Sequence, residues 1–62
     1  MSFSENLKLL MKQKKLTAQT IAEKLQISRG TVTNWSNGER FPQKSEFIED
    51  LAGVLDVTVQ DL

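Results

Sequence analysis

Arg29, Gly30, Thr33, Asn34 and Asn37 are the residues whose types and spacing best suit a chemical task. At this spacing they share one face of a helix. Arginine pairs bidentately with guanine, asparagine with adenine, and a threonine methyl meets the thymine methyl. That face could therefore read base edges in a major groove, which is wide enough to admit a helix. Gly30 has no side chain and would allow close backbone approach rather than read a base. Each has an ordinary rival: polar residues on a helix face are normal, and Arg29 is also what a solvated helix would carry. Asn34-Trp35-Ser36 matches a glycosylation sequon, read as chance because no secretory signal accompanies it.

Other chemistries are excluded early. The 62 residues include no cysteine and no histidine. That removes disulfides, thiolate and imidazole metal sites, Ser-His and Cys-His catalysis, and a histidine pH switch. Glu46, Glu49 and Asp50 fall in the first turns of a helix, where they favour its dipole. A paired-carboxylate catalytic site is a poor reading of them. They sit beside no predicted pocket, and so small a chain is not expected to enclose one. No enzyme, metal or cofactor is expected. The longest uninterrupted apolar run is Leu9-Leu10-Met11, far short of a bilayer span or a signal-peptide core. The chain is expected to be soluble and cytoplasmic, with no membrane partner.

Eight Lys and Arg balance eight Asp and Glu, so the net charge is zero. The arrangement is polarised. All eight bases (Lys8, Lys12, Lys14, Lys15, Lys24, Arg29, Arg40 and Lys44) lie in residues 1–44 against three acids, a net of +5. Residues 45–62 hold five acids and no base, a net of −5. Such a chain can turn a basic face to a polyanion and an acidic end elsewhere, or it is simply dipolar without a partner.

The elements that would position these residues read as helices, in one domain spanning 1–62. Residues 2–14 form the first, with Ser2 and Glu5 as a capping box. Phe3, Leu7, Leu10 and the stem of Lys14 fall on one stripe, which Leu9 and Met11 widen. Thr17 caps a second helix, Ala18 to Leu25, with Ile21, Ala22 and Leu25 inward. Ser28 caps a third through about Ser36, where Val32 and Trp35 sit three apart and face the core. At that spacing Trp35 is core rather than a stacking platform for single strands. Gly38 ends that helix in a left-handed conformation. Ser45 is expected to cap a fourth helix to about Leu55, with Phe47, Ile48, Leu51, Ala52 and Leu55 as its stripe. A last short turn holds Val59 and Leu62. The expected fold is all-α, a bundle of about five short helices.

Helices two and three, each of about eight residues and joined near Gln26-Ile27, make a helix-turn-helix over about 17–37. Ala22 must be small where the two backbones approach. Ile27, Val32 and Trp35 anchor the second of the pair, leaving its other face free.

The residues Thr17-Ala18-Gln19-Thr20-Ile21-Ala22-Glu23-Lys24-Leu25, then Ile27-Ser28-Arg29, Val32, Trp35 and Asn37-Gly38, resemble the Cro/CI-type (XRE) helix-turn-helix family of phage repressors, Cro proteins, bacterial regulators and antitoxins. The tail from Leu51 to Leu62 is similar to the family's closing segment. The resemblance implies a lambda-repressor-like DNA-binding domain. It implies base contacts at Arg29, Gly30, Thr33 and Asn34, and phosphate contacts at or beside Thr17, Gln19, Ser28, Asn37 and Arg40. Phosphate contacts set register and base contacts specify sequence.

The chain also departs from the family. Ala18 stands where the second helix often carries glutamine, with Gln19 one place on. Lys15, Gln26 and Asp56 replace the usual turn glycines. A left-handed lysine or glutamine costs roughly 1 kcal/mol, so the turns at Lys15 and Gln26 are expected to differ in shape, whereas Asp56 tolerates that conformation better. Met11 and Ser36 stand where many members pair arginine with glutamate, so both partners of that pair are absent together.

The expected function is a sequence-specific transcriptional regulator of the phage or bacterial repressor type, binding double-stranded DNA. One recognition helix reads few base pairs, so a homodimer on a palindromic operator is the expected mode. Val57, Val59 and Leu62, taken as exposed, are the candidate dimer contacts. The chain fits either a complete Cro-sized regulator or the N-terminal part of a longer repressor. The alternative is an antitoxin-like or anti-repressor-like module that keeps the fold and binds a protein.

Overall fold

A computed structural model describes residues 2–62. Four α-helices follow in order: α1 (Phe3–Lys14), α2 (Ala18–Leu25), α3 (Arg29–Asn37) and α4 (Ser45–Leu55). A single 3-10 turn, Val59–Asp61, stands where the short closing element was expected. The fold is all-α among the described residues, as the periodicity implied.

Three of the four connections share one construction. Lys15, Gln26 and Asp56 all adopt the left-handed conformation, with φ of 57°, 60° and 58°. The expectation that the turns at Lys15 and Gln26 change shape without glycine is therefore overturned. The reason lies in the next residue. Leu16, Ile27 and Val57 each donate their amide back five positions, to Met11, Ala22 and Ala52, at 2.9, 3.0 and 2.9 Å. This is the Schellman closure, which satisfies carbonyls the helix would leave orphaned. It also swings the three aliphatic side chains onto the core, where each is half-buried. Burying part of a Leu, Ile or Val side chain is worth about 1 kcal/mol or more, enough to offset the left-handed strain. The third residue of each connection, Thr17, Ser28 or Thr58, is extended and holds the N-cap position of the next element.

The hydroxyls of Ser2, Thr17 and Ser28 accept the amides of Glu5, Thr20 and Thr31 at 3.3, 3.2 and 3.3 Å. Helix α4 differs from expectation. Ser45 is its first helical residue, and Lys44 occupies the cap position with no side-chain capping bond. An ammonium offers no acceptor, so it cannot cap an amide.

The core is wholly apolar. Leu7, Ile21, Ala22, Val32, Trp35, Leu51 and Leu55 form one buried cluster, and no polar or charged side chain is buried among the described residues. Ala22 is 3% exposed, the close approach that required a small residue. Phe47 tilts against Trp35 with ring centroids 5.6 Å apart. Lys14 is exposed rather than packed along its stem, and Leu9 is 48% exposed. The apolar stripe of α1 is therefore narrower than the sequence suggested.

Gln26→Gly should stabilise the protein by about 0.5–1 kcal/mol, the left-handed strain relieved less the extra backbone freedom of glycine. Ile27→Ala should destabilise it by about 1–3 kcal/mol. Urea denaturation midpoints of the two variants check both signs; a destabilised Gln26→Gly variant would refute the strain assigned to this turn.

Candidate nucleic-acid interface

Helices α2 and α3 are built from the caps inward. Thr17 closes the start of α2 and Ser28 the start of α3, and each hydroxyl also lies near a threonine hydroxyl, Thr20 at 3.0 Å and Thr31 at 2.7 Å. Val32 (0% exposed) and Trp35 (3%) pin one face of α3 to the core. Ser36, standing where many family members place a glutamate, donates its hydroxyl to the Thr33 carbonyl at 2.9 Å. The opposite face of α3 adds no residue to the buried core.

On that face Arg29, Gly30 and Asn37 are exposed, and Thr33 and Asn34 are half-buried. A Cβ built on Gly30 meets no atom within 4 Å. Nothing inside the chain therefore requires a glycine there, although an interior helical glycine costs about 0.5–1 kcal/mol relative to alanine. Gly53, inside α4, is equally unobstructed. Gly38 is different: its φ is 82°, and a Cβ would lie 3.3 Å from the Ser4 hydroxyl.

The remaining expected contact residues gather around α3. Gln19, Glu23 and Arg29 border one open depression between α2 and α3, and Gln19 Nε2 donates to Glu23 Oε1 at 3.4 Å. Thr17, Gln19, Ser28 and Arg40 are all exposed. Arg40 lies in the loop after α3, and that loop is tied back to the helix. The Asn34 carbonyl oxygen accepts the amides of Glu39 and Arg40 at 3.0 and 3.2 Å.

Sequence reasoning missed the same loop's other members. Thr31, Asn34, Arg40, Phe41 and Lys44 border a second open depression beside α3. No periodic pattern marks Phe41 or Lys44, because both lie outside the helices. The only available signal was a large apolar residue set between charged and turn-forming neighbours.

Two further expectations change. Glu49 and Asp50, thought to border no pocket, line an open surface depression with Lys24, Gly53 and Val54 between α2 and α4. Of the three residues taken as exposed dimer contacts, Val57 and Leu62 are half-buried against the core, and Val59 is 46% exposed. Val57 turns inward because it follows the left-handed Asp56. No helix among the described residues is long and apolar enough to cross a membrane.

Comparison with known proteins agrees with this geometry. The profile of the helix-turn-helix family matches residues 7–62. Over 60 residues the chain is 45% identical to the uncharacterized HTH-type transcriptional regulator YqaE of Bacillus subtilis (strain 168), a match covering 97% of this chain and 51% of YqaE. Over 62 residues it is 32% identical to the HTH-type transcriptional activator BcrR of Enterococcus faecalis, covering 100% of this chain and 30% of BcrR. The chain thus spans about half the length of the first relative and under a third of the second. No solved structure matches it significantly. With α2, α3 and α4 all inside the matched segment and the caps and core of a helix-turn-helix in place, the chain belongs to the XRE-type helix-turn-helix family.

Proposed function

We propose that this chain is a sequence-specific DNA-binding module of a transcriptional regulator, placing α3 in the major groove of duplex DNA. The observation that carries the reading is Gly30. It weakens α3, no neighbour in the chain needs it, and it sits between Arg29 and the Thr33–Asn34 pair on the free face. A glycine at that position lets the helix approach a surface that comes from outside the chain. The family, and the printed names of both relatives, support the same reading.

In this reading Arg29 and Asn34 pair with base edges, and Thr33 presents its methyl to thymine. Thr17, Gln19, Ser28, Asn37 and Arg40 hold phosphates and set the register. The acidic residues of α4 lie on another element from α3, while Glu23 and Glu39 stand among the expected contact residues. The function is binding with no chemical step, carried out in the cytoplasm of a bacterial cell. In this reading the module acts as a repressor, by occupying a promoter. A two-fold pair of modules on a palindrome, half-sites about 34–36 Å apart, supplies the sequence length one helix lacks. Val59, with the partly exposed edges of Val57 and Leu62, supplies the apolar contact between copies.

Selection from a random duplex pool, followed by sequencing, tests the reading. Two inverted half-sites about one helical turn apart are expected. No enrichment, with binding lost at physiological salt, would favour the protein-binding module instead. Against the selected site, Arg29→Ala should cost about 1–3 kcal/mol and relax one operator position.

The two unobstructed glycines give a matched control. Gly30→Ala and Gly53→Ala should each stabilise the fold by about 0.5–1 kcal/mol. Only Gly30→Ala should weaken DNA binding. Equal affinities of the two variants, measured by fluorescence anisotropy, would remove α3 from the interface.

A further inference from the structure

The loop between α3 and α4 is the one connection, among the described residues, that does not follow the three-residue pattern of the others. It also carries the most exposed large apolar side chain among the described residues. Phe41 is 58% exposed, although its ring lies 4.9 Å from that of Phe3. Solvating most of an aromatic ring is unfavourable, and here one ring contact and two backbone restraints limit where it can go. Pro42 is buried and restricts the backbone of the residue before it to extended conformations. The Phe3 ring supports it with a 58° tilt. The Asn34 carbonyl, accepting the Glu39 and Arg40 amides, ties the start of the loop to α3. The ring therefore stands at the flank of α3, bordering one depression with Asn34 of the free face.

Its neighbours specify what would cover it. Arg40 precedes it and Lys44 follows three residues later; both are exposed, and both border the same depression as Phe41, Thr31 and Asn34. An apolar ring bracketed by two cations matches a surface of alternating anion and apolar patch. A deoxyribose–phosphate strand is such a surface: phosphates repeat along it, and each sugar between them presents C–H groups. Bases in the duplex are stacked inside and do not offer that alternation at the groove's edge.

We propose that Phe41 is a DNA-backbone contact residue, its ring lying on a deoxyribose between two phosphates held by Arg40 and Lys44, at the edge of the groove that α3 enters. This rests on the DNA-binding reading above. It adds an uncharged contact to a backbone interface otherwise made of hydrogen bonds and charge. Such a contact contributes affinity without sequence information and without counterion release.

That combination gives a distinctive signature. On the selected duplex, Phe41→Ala should lower affinity about tenfold, as expected for losing roughly half a ring's burial. The slope of log affinity against log salt should stay unchanged. Arg40→Ala should lower affinity while flattening that slope by about one unit. Because Phe41 also touches Phe3, thermal melting of each variant shows whether it remains folded. An intermolecular NOE measurement on the unaltered protein bound to the selected duplex stands independent of folding. Contacts between Phe41 ring protons and deoxyribose H4′ or H5′ protons are expected. Contacts to base protons, showing a wedge between steps, would overturn the backbone placement. So would the absence of any contact together with a folded Phe41→Ala variant of unaltered affinity. If Arg29→Ala still weakens binding in that case, the loss concerns Phe41 alone. If the unaltered protein retains no duplex, both readings fail together.

Discussion

A left-handed residue followed by an aliphatic one packed on the core is the constraint on which this small protein depends. Lys15-Leu16, Gln26-Ile27 and Asp56-Val57 each stop a helix, satisfy its last carbonyls and bring an apolar side chain to the core. The residue that follows each pair is a threonine or serine in extended conformation, placed at the start of the next element. One device thus both ends a helix and begins the next. The connection after α2 sets the direction in which α3 leaves, and with it the orientation of the free face. A protein with no disulfide and a small core has few other means of holding that angle.

The free face of α3 exists because the other face is so firmly held. Val32 and Trp35 are almost fully buried, Trp35 is backed by Phe47, and the Ser36 hydroxyl is turned to the Thr33 carbonyl. Arg29, Gly30 and Asn37 are left with no structural duty. Stability and function are separable here, residue by residue. Gly38 serves the fold through its positive φ and the nearby Ser4, whereas Gly30 serves nothing inside the chain. The two glycines are indistinguishable as letters and opposite in role.

Charge follows the same division. The chain is neutral in total, yet Arg29, Arg40 and Lys44 lie on α3 and the adjoining loop and the acids Glu46, Glu49 and Asp50 on α4. Glu49 and Asp50 share their depression with Lys24, which partly offsets them. Glu23, by contrast, lies beside Arg29 and accepts a bond from Gln19. The candidate surface is therefore mixed rather than uniformly basic, consistent with affinity that draws on shape and hydrogen bonds as well as charge.

The sequence by itself determined the helices, their caps at Ser2, Thr17 and Ser28, the inward positions of Ile21, Ala22, Val32 and Trp35, and the helix-turn-helix that joins them. These are local properties: a 3.6-residue period and a hydroxyl one place before a helix are readable without knowing what packs where. Tertiary structure decided the rest. It kept the left-handed turns at Lys15 and Gln26 against their residue preferences, because partial burial of the following side chain outweighs a local strain. It turned Val57 and Leu62 inward, set Lys44 rather than Ser45 at the head of α4, and left the two glycines at 30 and 53 in open space. It brought Phe41 and Asn34, seven apart in sequence and related by no period, to the border of one depression. A loop carries no repeating pattern, so the neighbours of its side chains are settled only when the helices on either side have packed.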